Sequence, residues 1–266
     1  YHYDHESIYD GCVLSGTTWM RFNHNDMNEL EKLLKKNFKK YNRIIVIVDA
    51  VYSMDGDVAP MPEIVKLAKK YNAMTMVDEA HAIGVIGEKG KGIQEYFGLK
   101  SDDIDVYMGT LSKAIPSIGG YIAGKKDLIT YLKYSAHPFI FSAALPPPCL
   151  ASASKAIDII IRDGKRRQRL RQNIHYFLEG IQSLGFDTLK SKDTAIIPVV
   201  IGDDKKTFEF AKIANQMGVF VCPIVYPAVP RNKGRLRCCV MANHTKQDLD
   251  TIFNVFWKVG KKLKLI

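Results

Sequence analysis

Short apolar runs alternate with amphipathic segments along the first half of the chain. The runs Ile44 to Val48 and Met74 to Val77 are rich in β-branched side chains and have the length of buried strands. Between them, Met61 to Tyr71 repeats its apolar residues at helical spacing. Strands that alternate with helices in this way predict an α/β fold with a mostly parallel sheet and helical crossover connections.

The next segment predicts where a ligand would bind. Asp78 directly follows the second strand, so we expect it at that strand's carboxyl end. Val106 to Met108 and Tyr121 to Ala123 predict two further short strands, and the stretch from Gly109 to Ser117 predicts a loop between them. Ligands of open α/β sheets bind beyond the carboxyl ends of the strands, so this edge is the expected place for a site.

The second half of the chain predicts a separate, smaller layer. Pro146 to Pro148 interrupts the chain, and a long amphipathic helix is predicted from Cys149 to about Leu184. We therefore expect a large domain over residues 1–150, and a linking helix with a small α+β C-terminal domain over residues 151–266. The strands predicted for the small domain are Ala195 to Ile201, Val219 to Cys222 and Leu236 to Met241, and its helices are Thr207 to Met217 and Lys246 to Lys261. Thr245 and Asp248 have the spacing of a capping box.

Composition and charge restrict the class of protein. The longest apolar run falls far short of the roughly 18 residues that a membrane span needs, so no integral membrane segment is predicted. The 38 lysines and arginines exceed the 28 aspartates and glutamates, and the resulting net charge of +10 favours anionic partners. The basic runs lack the interleaved aromatic residues of a base-stacking platform, so we expect solvated helix faces and no nucleic-acid partner.

The cysteines predict a reducing environment. There are five of them, scattered along the chain without the paired spacing of a zinc site or a disulfide framework. We therefore expect the cytoplasm or another reducing compartment, with organelle targeting left open. No metal site is predicted, because Asp78 and His81 lack a third convincing ligand.

The strongest chemical signal is the segment Gly109-Thr110-Leu111-Ser112-Lys113, followed by Gly119-Gly120. A lysine amine can form an imine with a carbonyl compound. The hydroxyl groups of Thr110 and Ser112 can donate to a phosphate, and the glycines allow the backbone to approach a ligand closely. A lone lysine would be interpreted as an ordinary exposed side chain, but these neighbours favour a binding site.

A second signal lies at the predicted strand end, in Val77-Asp78-Glu79-Ala80-His81. A carboxylate that faces a pyridine nitrogen keeps that nitrogen protonated, and a protonated ring is an electron sink for a carbanion. Asp78 is the candidate for this role. His81 either hydrogen-bonds the ring's phenolate oxygen or caps the turn that follows.

Five segments together carry a family resemblance. They are Asp4 to Gly11, Val51 to Asp57, Asp78 to His81, Gly109 to Lys113 and Arg235 to Arg237. In order and spacing they resemble the α-oxoamine synthases, a group of fold-type I pyridoxal-phosphate enzymes, over nearly the whole chain. The resemblance implies a fold-type I transferase architecture with pyridoxal 5'-phosphate as the cofactor. It also implies that family chains extend beyond Tyr1 on the N-terminal side.

The resemblance implies a role for each matching residue around the cofactor. Lys113 resembles the Schiff-base lysine that also moves the α-proton, and Asp78 resembles the partner of the pyridine nitrogen. His81 and Ser53 match contacts to the phenolate side of the ring, and Thr110 matches a phosphate ligand.

Three further matches concern the ring face, the partner subunit and the substrate. His5 resembles the histidine that stacks on the ring. Ser142 resembles a hydroxyl that reaches the phosphate of the neighbouring subunit, which implies a homodimer with shared active sites. Arg237 resembles the arginine that holds the substrate carboxylate, a task suited to its fork of donors.

The function implied is the condensation of a small amino acid with an acyl thioester, carried by coenzyme A or an acyl carrier protein, to an α-amino ketone. Two rival interpretations remain open. An aminotransferase of class I or II would use the same lysine, aspartate and arginine, and the His5 segment argues against it. A non-catalytic partner subunit of an oxoamine synthase dimer is the other, and the presence of Lys113 argues against that.

Overall fold

The computed structural model of the chain describes residues 4–266, which form two compact units. The first unit contains the residues up to Tyr52 together with Val58–Gly164, and the second contains Ser53–Asp57 and Lys165–Ile266. The functional division expected between residues 150 and 151 stays a prediction, since a compact unit need not coincide with a functional domain.

A four-stranded sheet forms the centre of the first unit. Its strands are β1 (Ile45–Asp49), β2 (Met74–Asp78), β3 (Val106–Ser112) and β4 (Pro116–Gly124), in that spatial order. The first three are parallel and β4 is antiparallel to β3. The helices of this unit are α1 (Glu6–Leu14), α2 (Met27–Asn37), α3 (Met61–Lys70), α4 (Ile93–Phe97), α5 (Lys126–Ser135), α6 (His137–Ile140) and α7 (Pro147–Arg162). This arrangement agrees with the predicted α/β class.

The loop predicted from Gly109 to Ser117 is wrong. Most of that stretch belongs to β3 and β4, which form an antiparallel hairpin joined by the short turn Lys113–Ile115. The glycines that indicated a loop allow close pairing instead, because a Cβ atom on Gly120 would lie 2.8 Å from the Gly109 carbonyl oxygen. Ile115 is buried behind the turn, in a small core with Leu111 and two alanines of α7.

The long helix predicted from Cys149 to Leu184 is two helices. The helix α7 ends at Arg162, and α8 (Gly164–Ser183) begins after Asp163, whose backbone is not helical. The cause is local, since aspartate and glycine are both poor residues for a helix interior. Among residues 4–266 no helix has the length and apolar character that crossing a bilayer would require.

The second unit is a three-stranded antiparallel sheet covered by helices. Its strands are β5 (Ile196–Gly202), β6 (Cys222–Ile224) and β7 (Gly234–Cys239), with β7 in the middle. With α8, the helices α9 (Asp204–Gln216) and α10 (Lys246–Lys262) bury an apolar core. The capping box at Thr245 and Asp248 is confirmed, with both of its hydrogen bonds present.

One packing contact in this unit leads to a stability prediction. A Cβ atom on Gly180 of α8 would lie 2.2 Å from the ring of Phe253 on α10. We expect Gly180→Ala to lower the free energy of unfolding by about 1–3 kcal/mol, because overpacking outweighs the better helix propensity of alanine. Urea unfolding at one temperature measures the change. The control is Gly11→Ala in α1, where nothing lies within 4 Å of the new methyl group and no loss is expected; equal losses in the two variants would refute the packing argument.

Candidate active site

A cleft of about 200 Å³ opens in the first unit where β1, β2 and β3 end. Five of the eight residues predicted for the site line this cleft, namely His5, Asp78, His81, Thr110 and Lys113. They come from three separate segments of the chain. The parallel register of the strands therefore collects them at one edge of the sheet, as expected for an α/β fold.

Lys113 occupies the turn between β3 and β4, at the rim of the cleft. Its Nζ atom lies 3.0 Å from Nε2 of His81, which is within hydrogen-bond distance. The lysine is solvent-exposed and His81 is partly buried. The amine is therefore accessible to a ligand and oriented by a neighbouring imidazole.

Two hydroxyl groups stand beside this lysine. Thr110 and Ser112 are two residues apart on β3, so their side chains leave the same face of the strand, and their oxygens are 2.8 Å apart. Thr110 also donates to the carbonyl oxygen of Gly119 at 3.3 Å. Hydroxyl groups that can donate, next to a cationic amine, are suited to holding a phosphate.

Asp78 is the last residue of β2 and is only 4% exposed. One of its carboxylate oxygens accepts a hydrogen bond of 2.8 Å from the backbone N–H of Ala80. That bond fixes the carboxylate at the start of the turn that carries His81. A negative charge is thus held at the floor of the cleft.

Asp49, which the sequence analysis missed, also lines the cleft. It is the last residue of β1 and stands directly opposite Asp78 in the strand register. Burial, followed by the Asp4 and Asp78 carboxylates, raises the pKa of Asp49 to about 8. A usable signal was in the sequence, because Asp49 ends a buried apolar run as Asp78 does.

His5 is exposed and caps the start of α1. Its Nδ1 accepts a hydrogen bond from the backbone N–H of Ser7 at 3.3 Å and lies 2.8 Å from the Ser7 hydroxyl. Its own backbone N–H donates to Asp49 at 3.4 Å, and the Asp49 N–H donates to Asp4 at 3.0 Å. Asp49 therefore ties the segment that carries His5 to the end of β1.

Two residues predicted for the site, Ser53 and Arg237, belong to the second unit. Arg237 lies on β7, and its Nε donates to the backbone carbonyl of Ser53 at 2.6 Å. Its neighbour Arg235 is buried and forms an ion pair with Asp55. Of the two arginines in the Arg235-Leu236-Arg237 segment, Arg237 is thus the less buried.

Ser142 follows α6 and is exposed. Its hydroxyl donates to the carbonyl oxygen of Pro138, four residues earlier. It is not among the described residues that line the cleft, and its predicted reach into a neighbouring subunit stays a prediction.

A match to a family profile shows the protein family of the chain. The profile described as "Aminotransferase class I and II" matches residues 2–256, nearly the whole chain. This chain belongs to the class I and II aminotransferase family. The membership confirms the fold class predicted from the sequence.

Curated relatives of the chain show which group within this family it resembles. The chain is 49% identical over 263 residues to an 8-amino-7-oxononanoate synthase of Thermoanaerobacter pseudethanolicus, covering 99% of this chain and 66% of that protein. It is 43% identical over 258 residues to a serine palmitoyltransferase of Bacteriovorax stolpii, covering 97% of this chain and 61% of that protein. These relatives confirm the resemblance to the α-oxoamine synthases. The chain spans just under two thirds of their length.

A solved structure agrees with this grouping. A structure described as SPT with PLP as an internal aldimine superposes with a TM-score of 0.94 at 33% sequence identity. The match covers 99% of this chain and 66% of that one.

The buried carboxyl of Asp49 predicts how stability changes with pH. A carboxyl whose pKa is raised in the folded state retains a proton that the unfolded chain has released, so stability falls as pH rises from about 4 towards 8. We expect Asp49→Asn to remove this contribution and to make the decline of the unfolding free energy between pH 5 and 7 shallower by about 1.4 kcal/mol per pH unit.

Urea unfolding at several pH values measures the slope. The matched control is Asp127→Asn, which removes an exposed carboxylate on α5. That variant should follow the wild-type slope. If Asp49→Asn follows it as well, the raised pKa is refuted.

Proposed function

We propose that this chain carries the catalytic machinery of a pyridoxal-phosphate-dependent acyltransferase, an α-oxoamine synthase that condenses a small amino acid with an acyl thioester to an α-amino ketone. One observation carries the proposal. A lysine amine, a buried carboxylate, an imidazole and a pair of hydroxyl groups share one cleft at the ends of parallel strands. The names of the relatives support the same reaction class.

The groups in the cleft have the chemistry that pyridoxal phosphate requires. Lys113 would hold the cofactor through its amine, and Asp78 would face the pyridine nitrogen. Thr110 and Ser112 offer hydroxyl donors for the phosphate, and His81 is a candidate for the phenolate side. Ser53, which is not among the described residues that line the cleft, is the second candidate for that side. His5 supplies an imidazole at the same cleft, as the candidate for the face of the ring.

The residues of the chain then have distinct tasks in the reaction. When bound, pyridoxal phosphate supplies an electron sink for negative charge on the substrate's α-carbon. Asp78 presents a fixed negative charge in a buried position, which favours the protonated pyridine nitrogen. Lys113 takes the proton from the α-carbon at its Nζ, and His81 orients that amine from 3.0 Å.

Substrates and partners follow from the same proposal. Arg237 would bind the amino acid carboxylate, because a guanidinium fork pairs with a carboxylate in two parallel hydrogen bonds. The acyl group would arrive on coenzyme A or an acyl carrier protein, for which the net charge of +10 is favourable.

All five cysteines are free thiols, which supports the cytoplasm or another reducing compartment as the location of the protein.

The proposed reaction is tested by a product screen. Glycine, alanine and serine are each combined with short-chain and long-chain acyl thioesters in the presence of pyridoxal phosphate. We expect release of free thiol together with an α-amino ketone, identified by mass spectrometry, for at least one pair. Lys113→Ala should abolish the product, because it removes both the cofactor linkage and the base.

The control for Lys113 is Lys126→Ala, at the exposed start of α5, which should leave turnover unchanged. Borohydride reduction followed by peptide mapping should place the pyridoxyl label on Lys113. A label on another lysine would remove Lys113 from the site. Transfer of the amino group to a 2-oxo acid without thiol release would show an aminotransferase instead.

We further propose a homodimer in which Ser142 serves the cofactor site of the partner subunit. Mixing Lys113→Ala and Ser142→Ala chains should then restore activity, because one site of each mixed dimer receives both intact residues. Random pairing predicts about a quarter of wild-type activity. The assay is turnover of the mixture after refolding together.

Ser135→Ala is the matched control for Ser142. Both hydroxyls donate to the backbone carbonyl four residues earlier, Ser135 to Tyr131 and Ser142 to Pro138. Ser135→Ala should be active on its own. If the mixture of Lys113→Ala and Ser142→Ala gains nothing over its parents, the shared site is refuted.

A further inference from the structure

Glu79 is a buried ionisable group that the proposed reaction does not use. It follows Asp78 and is only 1% exposed. Both oxygens of its carboxyl group accept from the backbone N–H of Ile93, at 3.1 and 3.2 Å. Ile93 is the first residue of α4, and the N-cap residue Gly92 has no side chain to cap that helix. Glu79 therefore supplies the cap from a distant point in the chain.

This contact closes a loop at its base. Residues 80–92 connect Glu79, directly after β2, to Ile93, where α4 begins. The backbone carbonyl of Glu79 also accepts from the N–H groups of Ala82 and Ile83, at 2.9 and 3.1 Å. Gly92 is needed for the approach, because its φ is +83° and a Cβ atom there would lie 2.3 Å from the Glu79 carboxyl. The side chain and the backbone of one residue thus hold both ends of the loop.

The loop carries a residue of the candidate site. His81 lies two positions after Glu79, and its imidazole contacts the Lys113 amine at 3.0 Å. Ala82, directly after it, is fully buried and anchors this end of the loop in the core. The position of the imidazole therefore depends on how firmly the loop is closed.

We propose that Glu79 is a positioning residue, whose buried carboxyl group closes the loop of residues 80–92 and thereby holds His81 against Lys113. The inference rests on the proposed function only for the roles of His81 and Lys113. The loop closure itself is a property of the protein without cofactor or substrate.

The electrostatics of Glu79 agree with a neutral anchor. Burial raises the pKa of Glu79 to about 8, the Ile93 N–H opposes that rise, and the Asp78 carboxylate adds to it. The other titratable groups that face Glu79 are Tyr107 on β3 and Tyr121 on β4, and the pKa of each phenol is itself raised by burial and by this carboxyl group. Around neutral pH the protonated carboxyl group still offers an acceptor oxygen to Ile93. Closure weakens as the pH rises from about 5 towards 8, because the opened loop releases a proton that the closed loop retains.

The loop is tested by amide hydrogen exchange on the protein without cofactor. We expect Glu79→Ala to speed exchange in residues 80–93 by roughly tenfold or more. Without the contact to Ile93, local opening of the loop costs less free energy and occurs more often. Glu79→Gln keeps an acceptor oxygen and should retain the protection. Exchange in β1 and β2 should stay at the wild-type rate; a uniform rise across the sheet would mean a general stability role and would overturn the proposal.

Chemical labelling of Lys113 tests the consequence for the site. The rate of its modification by acetic anhydride is measured by peptide mapping, with the exposed Lys126 as the internal reference. Glu79→Ala should raise the Lys113 rate several-fold, because the amine loses its imidazole neighbour. An unchanged ratio of Lys113 to Lys126 labelling would overturn the positioning role, whatever the outcome of the condensation assay.

Glu95 provides the matched control, since it anchors the outer part of the same loop. Its carboxylate accepts from the backbone N–H groups of Lys89 and Lys91, at 2.9 and 3.0 Å. Glu95→Ala should release these two amides but leave Lys113 labelling unchanged, and an equal effect on Lys113 would refute the assignment to Glu79. If Glu79→Ala does not fold, the pH series decides. Exchange in the loop, corrected for its intrinsic pH dependence, should rise between pH 5 and 8 in the wild type but not in Glu79→Gln, and equal pH profiles of the two proteins would overturn the proposal.

Discussion

Asp49 and Asp78 stand opposite each other in the register of β1 and β2, and each is the last residue of its strand. Neighbouring parallel strands in register turn such residues to the same face, so two buried carboxyl groups meet at the floor of the cleft. The other groups of the candidate site are arranged around this pair. The backbone N–H of His5 donates a hydrogen bond to Asp49. His81 lies in the turn after β2, and Asp78 fixes the start of that turn by accepting a hydrogen bond from the Ala80 N–H.

The position of Lys113 depends on the hairpin of β3 and β4. A turn of three residues between paired strands restricts the backbone far more than a long loop would, and Ile115 is buried behind it. The amine is therefore exposed at its tip while the backbone below is held. Glycines on both strands make this pairing possible, since Gly109 accommodates the ring of Tyr121 and Gly120 the carbonyl of Gly109. A rigid base with a reachable amine suits a lysine that must bond to a ligand.

The sequence predicted the parts of the site that follow from local pattern. Asp78 was placed correctly because an apolar run ends at it, and the parallel sheet followed from the alternation of strands and helices. The hairpin was missed because glycines in an edge strand resemble those of a loop, and only the pairing partner distinguishes the two. Asp49 was missed because one carboxylate satisfied the expected chemistry. The contact between Glu79 and Ile93 joins residues 14 positions apart, and no local pattern indicates it.

Burying several carboxyl groups beside one cleft is unfavourable unless most of them are neutral. Burial and the neighbouring carboxylates raise the pKa values of Asp49 and Glu79 to about 8, so around neutral pH both hold a proton. Each then serves as a hydrogen-bond anchor, Asp49 for the segment of His5 and Glu79 for the loop of His81. The Asp78 carboxylate flanks them both and adds to the rise that burial causes. Asp78 thus supplies the negative charge of the cleft, while the protonated carboxyl groups of Asp49 and Glu79 hold the segments of His5 and His81 in place.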